Sequence, residues 1–135
     1  MIDIENKVID TLSRAFDGVA TVSSTYSDSS FPFVYVAEVS NTGYARSYDN
    51  DLREHHARVT IRVECYSALE SGAKQECKAL MQIADLTMQG MKFRRTSYGF
   101  IPNIDRSITR IHADYSAIVG EPRDIDGETV YQIYR

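Results

Sequence analysis

The residues able to do chemistry are few, and their spacing argues against most of the reactions they could support. There are three histidines, His55, His56 and His112, and two cysteines, Cys65 and Cys77. A structural zinc site needs about four such ligands in closed geometry. His55 and His56 are neighbours, so on a strand they point to opposite faces and cannot share an ion. No cysteine lies near either in the sequence. Asp49, Asp51 and Glu54 cluster in the manner of a calcium loop, but starting from Asp49 puts Glu54 where that loop needs glycine and Thr60 where it needs its bidentate glutamate. A solvated acidic loop accounts for them better. There is no nucleophile elbow, phosphate-binding glycine loop or dinucleotide fingerprint.

Two looser groupings remain. Arg110, His112 and Asp114 are spaced by two, so on a strand they share one face and could converge as a small acid–base cluster. The wet face of an ordinary sheet has the same pattern. Arg94, Arg95, Arg106, Arg110 and Arg123 make the C-terminal half loosely basic, with Tyr98, Phe100 and Tyr115 interleaved. Single-strand binders combine aromatic platforms with basic grooves in this way, and so does a sheet with one wet face and one buried face.

The elements that would position these residues are legible from periodicity. In residues 3–16, Ile4, Val8, Leu12 and Phe16 recur at helical spacing. Asp3 and Glu5 lie in the first turn, and Gly18 follows as a stop. A Ser/Thr-rich connector comes next, with a short strand near 19–22, then a strand through Val34, Tyr35, Val36 and Val39, with Pro32 at its entrance. Residues 57–66 alternate strictly: Ala57, Val59, Ile61, Val63 and Cys65 on one face, Arg58, Thr60, Arg62, Glu64 and Tyr66 on the other. The spacing predicts a second helix within 67–91, with Ser67 and Glu70 as a capping box. Ala73, Cys77, Leu80, Ala84 and Met88 form its inner stripe, Lys74, Lys78, Gln82, Asp85 and Gln89 fall largely on the other face, and Gly90 ends it. Further strands follow at 92–100 and 107–119, the second with Ile111, Ala113, Tyr115, Ala117 and Val119 on one face and Arg110, His112, Asp114 and Ser116 on the other, then a turn at Asp126-Gly127 and a final strand through TVYQIY. The predicted fold class is α+β: one domain, residues 1–135, with a mostly antiparallel sheet of four to five strands and two helices packed on one face.

Composition agrees. The chain has 135 residues, enough for one core, and is 43% hydrophobic and 25% charged. Its 15 basic and 19 acidic side chains leave a net charge of −4. That balance does not attract phosphate at long range, so any nucleic-acid surface must be local. Two cysteines suit buried free thiols better than a disulfide scaffold. The sequence contains no apolar run of membrane-spanning length, and acids occupy the N-terminus where a signal peptide would be basic. The expectation is a protein made and folded in a cytosol.

The positive signal is residues 40–56, a long polar stretch between two strands. Loops longer than about 12–15 residues are uncommon in compact domains unless functional or disordered. Tyr44, Arg46, Tyr48, Asp49, Asp51 and Arg53 are the candidate protein-interface residues, because tyrosine and arginine are favoured in buried contacts. The stretch is expected to be an arm that orders on a partner.

The segment FPFVYVAEVSN, the polar loop, HARVTIRVECYS, the helix GAKQECKALMQIADLTMQGMKF and the run RRTSYGFIPNIDRSITRIHADYSAIVGE together resemble the tail terminator (tail-completion, head-tail joining) proteins of bacteriophages and prophages with long non-contractile tails. The resemblance covers roughly residues 1–121. It implies a sheet with helices on one side and a homo-oligomer, a hexameric ring, at the head-proximal end of the tail tube. The implied partners are copies of itself, the tail-tube protein and a neck or head-completion protein. Location in the virion tail or neck after assembly in the bacterial cytoplasm is also implied. The resemblance implies no catalytic residue, metal, cofactor, membrane or sequence-specific nucleic acid. Two other readings stand beside it: a head-closure, connector or minor capsid protein of the same machine, and a small α+β enzyme or ligand-binding domain built on Arg110, His112 and Asp114.

Overall fold

A computed structural model describes residues 1–26, 30–43, 55–102 and 107–134. The elements in chain order are α1 (Glu5–Ala15), β1 (Thr21–Ser23), β2 (Phe33–Gly43), β3 (His56–Ser67), α2 (Ala73–Gly90), β4 (Arg94–Ile101), β5 (Thr109–Gly120), β6 (Arg123–Ile125), β7 (Glu128–Val130) and β8 (Ile133–Tyr134). The sheet runs β1-β2-β3-β5-β4, with β8 pairing β5 beyond the end of β4, and β6 with β7 forms a separate hairpin. All pairings are antiparallel except β1 with β2. This is the α+β architecture expected from the sequence: the short strand expected near 19–22 is β1, and the single final strand expected through TVYQIY is divided between β7 and β8.

β3 and β5 form the centre. They pair without interruption from His56 with Gly120 to Ser67 with Thr109. Their inner faces, Ala57, Val59, Ile61, Val63 and Cys65 against Ile111, Ala113, Tyr115, Ala117 and Val119, are all buried. Directly opposite residues share a face, so this double row is a continuous apolar floor. α1 adds Val8 and Leu12 to it, with Ile4 and Phe16 at its two ends; α2 adds Cys77, Leu80, Met81, Ala84 and Met88. Both helices therefore lie on the same side of the sheet.

α2 departs from the expected start. Ser67 is not its cap: it is buried as the last residue of β3, and its Oγ accepts the Leu69 N–H at 3.4 Å. Sheet pairing with Thr109 outcompetes the local capping box, and the helix begins at Ala73, after Gly72 in the left-handed region at φ 82°. At the other end Gly90 is still helical. Lys92 takes the left-handed position at φ 70°, and the Phe93 N–H reaches back to the Met88 carbonyl at 3.0 Å, closing the helix with a residue other than glycine. Asp85, expected on the outer face, is drawn in. It accepts a hydrogen bond from the buried Tyr115 hydroxyl at 2.8 Å and an ion pair from Arg95 at 3.1 Å, tying α2 to β5 and β4.

The outer edge of β2 is covered in part. Short β1 pairs with its first residues, and farther along the N-terminal segment takes over: the Glu38 N–H donates to Glu5 Oε2 at 2.8 Å, and Asn41 Nδ2 donates to the Ile2 carbonyl at 2.6 Å. A register shift between Glu38 and Ser40 turns Val39 outward and lets β2 continue to Gly43. Residues 40–43 and His56, read from the sequence as part of the loop, are thus strand.

Both thiols lie in this core. Cys77 Sγ is 3.6 Å from the Cys65 carbonyl and 3.4 Å from that of Thr109. Burial pushes the Cys65 thiol far up and the Cys77 thiol up to about 11. Neither should react with an aromatic disulfide reagent in the native protein, and both should react on unfolding; rapid native-state labelling would contradict this packing. Ile61→Asp and Leu80→Asp each place an unpaired charge in the floor or its cover. Each should cost more than about 4 kcal/mol and abolish the cooperative transition seen by circular dichroism in urea.

Candidate functional site

With both helices on one side, no helix among the described residues covers the other, open face of the sheet. The alternation that buries Ile61 and Tyr115 turns Arg58, Thr60, Arg62, Glu64 and Tyr66 of β3, and Arg110, His112, Asp114, Ser116 and Ile118 of β5, toward that face.

The acid–base candidates sit here, and their neighbours engage all three. Arg62 holds Asp114 through two hydrogen bonds, Nε to Oδ1 at 2.8 Å and Nη2 to Oδ2 at 3.1 Å. His112 Nδ1 donates to the Gly99 carbonyl of β4 at 3.0 Å. Arg110 Nη1 lies 3.6 Å from Glu64 Oε1, and its guanidinium stands over the Tyr66 ring at 5.9 Å. The Tyr66 hydroxyl donates to Glu64 Oε2 at 3.2 Å. These groups form a cross-strand lattice joining β3, β5 and β4, with charges alternating in sign. At the far end of the same face Tyr26 packs edge-on against Phe33, with ring centroids 5.9 Å apart, and lies 5.0 Å from the Tyr66 ring.

The basic and aromatic residues of the C-terminal half do not form one groove. Arg94 faces the open side opposite Ser116, whereas Arg95, Tyr98 and Phe100 pair with Tyr115, Ala113 and Ile111 and so lie on the helix side. Tyr115 is buried, Arg123 belongs to the β6–β7 hairpin, and Arg106 lies outside the described residues. The register shift between Arg95 and Ser97 produces this division, and nothing in the sequence announces it.

The division leaves a distinct feature along β4. Among the described residues, this eight-residue strand pairs with β5 on one side only. Tyr98 and Phe100 remain 48% and 39% exposed. Cations stand over both rings: Arg95 at 5.6 Å from Tyr98, and Lys74 and Lys78 at 5.8 and 5.9 Å from Phe100. Lys78, Met81, Asp85, Arg95 and Tyr98 help line a cavity of about 200 Å³ between α2 and β4. An unpaired edge flanked by unburied aromatics is a surface to which another chain can add. Sequence reasoning found β4 but not its edge position, because strand order is a long-range property.

The interface candidates Tyr44, Arg46, Tyr48, Asp49, Asp51 and Arg53 all lie outside the described residues. The strands on either side of them, β2 and β3, stay paired out to Gly43 with Ala57. His55 Nδ1 lies 3.0 Å from Glu121 Oε1 at the foot of that hairpin. Among the described residues, no group of three or more His, Cys, Asp or Glu side chains is placed to hold a metal ion, and no helix is long and apolar enough to cross a membrane. No family model matches the chain, and no curated protein matches it.

The Arg62 hydrogen bonds hold the Asp114 carboxyl below its ordinary value, against the opposing effect of burial. The unfolded state therefore binds that proton more tightly than the folded state. The pair's contribution is complete above the unfolded carboxylate value of about 4 and is lost as pH falls through the lower folded value. Arg62 is 40% exposed, so the contribution is that of a screened pair. Asp114→Asn should cost about 1 kcal/mol in urea unfolding at neutral pH and flatten part of the acid limb of stability below about pH 5. Stability–pH curves that superimpose for the two proteins would show the pair to be energetically silent.

Proposed function

We propose that this chain is a structural assembly protein of the tail-terminator kind, which forms a closed ring of its own copies, caps a phage tail tube and joins it to the neck. The observation that carries the reading is the β4 edge, where unpaired backbone runs beside the exposed rings of Tyr98 and Phe100. A ring is made of heterologous contacts in which one surface of each copy meets a different surface of the next. The β4 edge is one such surface. The hairpin segment 44–54 of the neighbouring copy, with Tyr44, Arg46, Tyr48, Asp49, Asp51 and Arg53, is its complement.

A sheet covered by helices on one side is also the fold that the sequence resemblance implies. That fold serves many functions, so it supports the reading without deciding it. The engagement of Arg110, His112 and Asp114 by their neighbours favours a role in holding the sheet together over a role in turnover.

Size-exclusion chromatography with light scattering, alone and with tail-tube protein, tests the proposal. A ring or a tube-bound complex is expected. Tyr98→Glu and Tyr48→Ala should each weaken assembly by at least about tenfold while leaving the thermal transition of the monomer in place. A chain that stays monomeric at high concentration and ignores tube protein refutes the assignment. Unfolding by Tyr48→Ala would mean that the hairpin segment belongs to the core.

A further inference from the structure

The charge lattice of the open face stops short of the hairpin end. Arg62 and Arg110 have Asp114 and Glu64 as partners, but two more arginines rise from this face nearer the hairpin. Arg58 of β3 stands opposite Ile118 of β5, and Arg94 of β4 stands opposite Ser116 of β5. The two side chains thus come from strands on either side of β5. They border one shallow cavity of about 180 Å³, completed by Ser116, Ala117 and Ile118, with no carboxylate in its lining. Both arginines are exposed, and among the described residues neither guanidinium has a hydrogen-bond or ion-pair partner.

Two guanidinium forks and a hydroxyl around an acid-free hollow are suited to a tetrahedral oxyanion. Guanidinium matches phosphate oxygens two at a time, and the Ser116 hydroxyl is a further donor. The next positions along this face are aromatic. Tyr134 of β8 stands opposite Ile118, is 42% exposed, and has its ring centroid 5.9 Å from that of His56. A ring beside a phosphate clamp on a flat, open sheet is the arrangement by which sequence-tolerant proteins hold a nucleic-acid strand. The net charge of −4 supplies no long-range attraction, so binding here depends on the local pair of cations and weakens with salt.

We infer that Arg58, Arg94 and Ser116 form a binding site for a phosphate group, presented by a single-stranded nucleic-acid backbone or by a small free phosphate. The site does not depend on ring formation and is tested separately from it. The full chain is titrated with labelled oligothymidine and, in a second series, with inorganic phosphate, each at two salt concentrations. Oligothymidine should bind more tightly at low salt. Arg58→Gln and Arg94→Gln should each weaken binding about tenfold or more and lower the salt slope by about one. Arg14→Gln, which removes the same charge from exposed α1 on the opposite side of the sheet, should leave binding unchanged. Thermal unfolding of the variants confirms that these exposed substitutions leave the fold intact. Phosphate binding with the same dependence on Arg58 and Arg94, and no gain from the oligonucleotide, identifies a small free phosphate as the source. The inference is overturned if neither probe binds, or if both glutamine variants bind as the parent does. It is also overturned if an oligoglutamate peptide binds through these arginines while neither phosphate probe does, which would make the site a protein-docking surface.

Discussion

Two helices cannot cover both faces of a sheet this wide, and the chain commits both to the same face. The apolar floor of β3 and β5 is the reason: ten inward side chains in two adjacent rows need a continuous apolar cover, and α1 and α2 together supply it. The opposite face must then satisfy itself in water. It does so with pairs of opposite charge directly across the strands, Arg62 with Asp114 above all, and with the Glu64, Tyr66 and Arg110 group. The open face, its ion-pair lattice and the two arginines left over at its end all follow from that one-sided burial.

The features that strict periodicity encodes were readable in the chain. The alternation from Ala57 to Cys65 and from Ile111 to Val119 marks two strands and the side chains that share a face on each, and the spacing of Cys77, Leu80, Ala84 and Met88 marks the inner stripe of α2. Features decided by competition between local and distant partners were not readable. Ser67 and Glu70 have the spacing of a capping box, yet Ser67 belongs to the sheet because its pairing with Thr109 extends the ladder. Asp85 reads as an outer-face residue until Tyr115 and Arg95, distant in sequence, claim its carboxylate.

The candidate surfaces were less legible still, for the same reason. Arg94 and Arg95 are neighbours in sequence, and Tyr98 and Phe100 follow at even spacing, so the group reads as one basic and aromatic patch. A register shift at Arg95 and Ser97 instead sends Arg94 to the open face and keeps the two rings beside α2. Whether a strand is central or at an edge depends on which strands fold beside it, and no local pattern in residues 94–101 records that. Arg58 and Arg94 come together only because β5 lies between β3 and β4.

The partly covered flank at β2 has a consequence of its own. Amyloid-like stacking needs every molecule to receive a strand on one side and offer one on the other. Here one flank is occupied in part by three-residue β1 and by backbone and side-chain hydrogen bonds to Ile2 and Glu5. Addition of one folded molecule to the main sheet of another is therefore easier at the β4 flank than along the first half of β2.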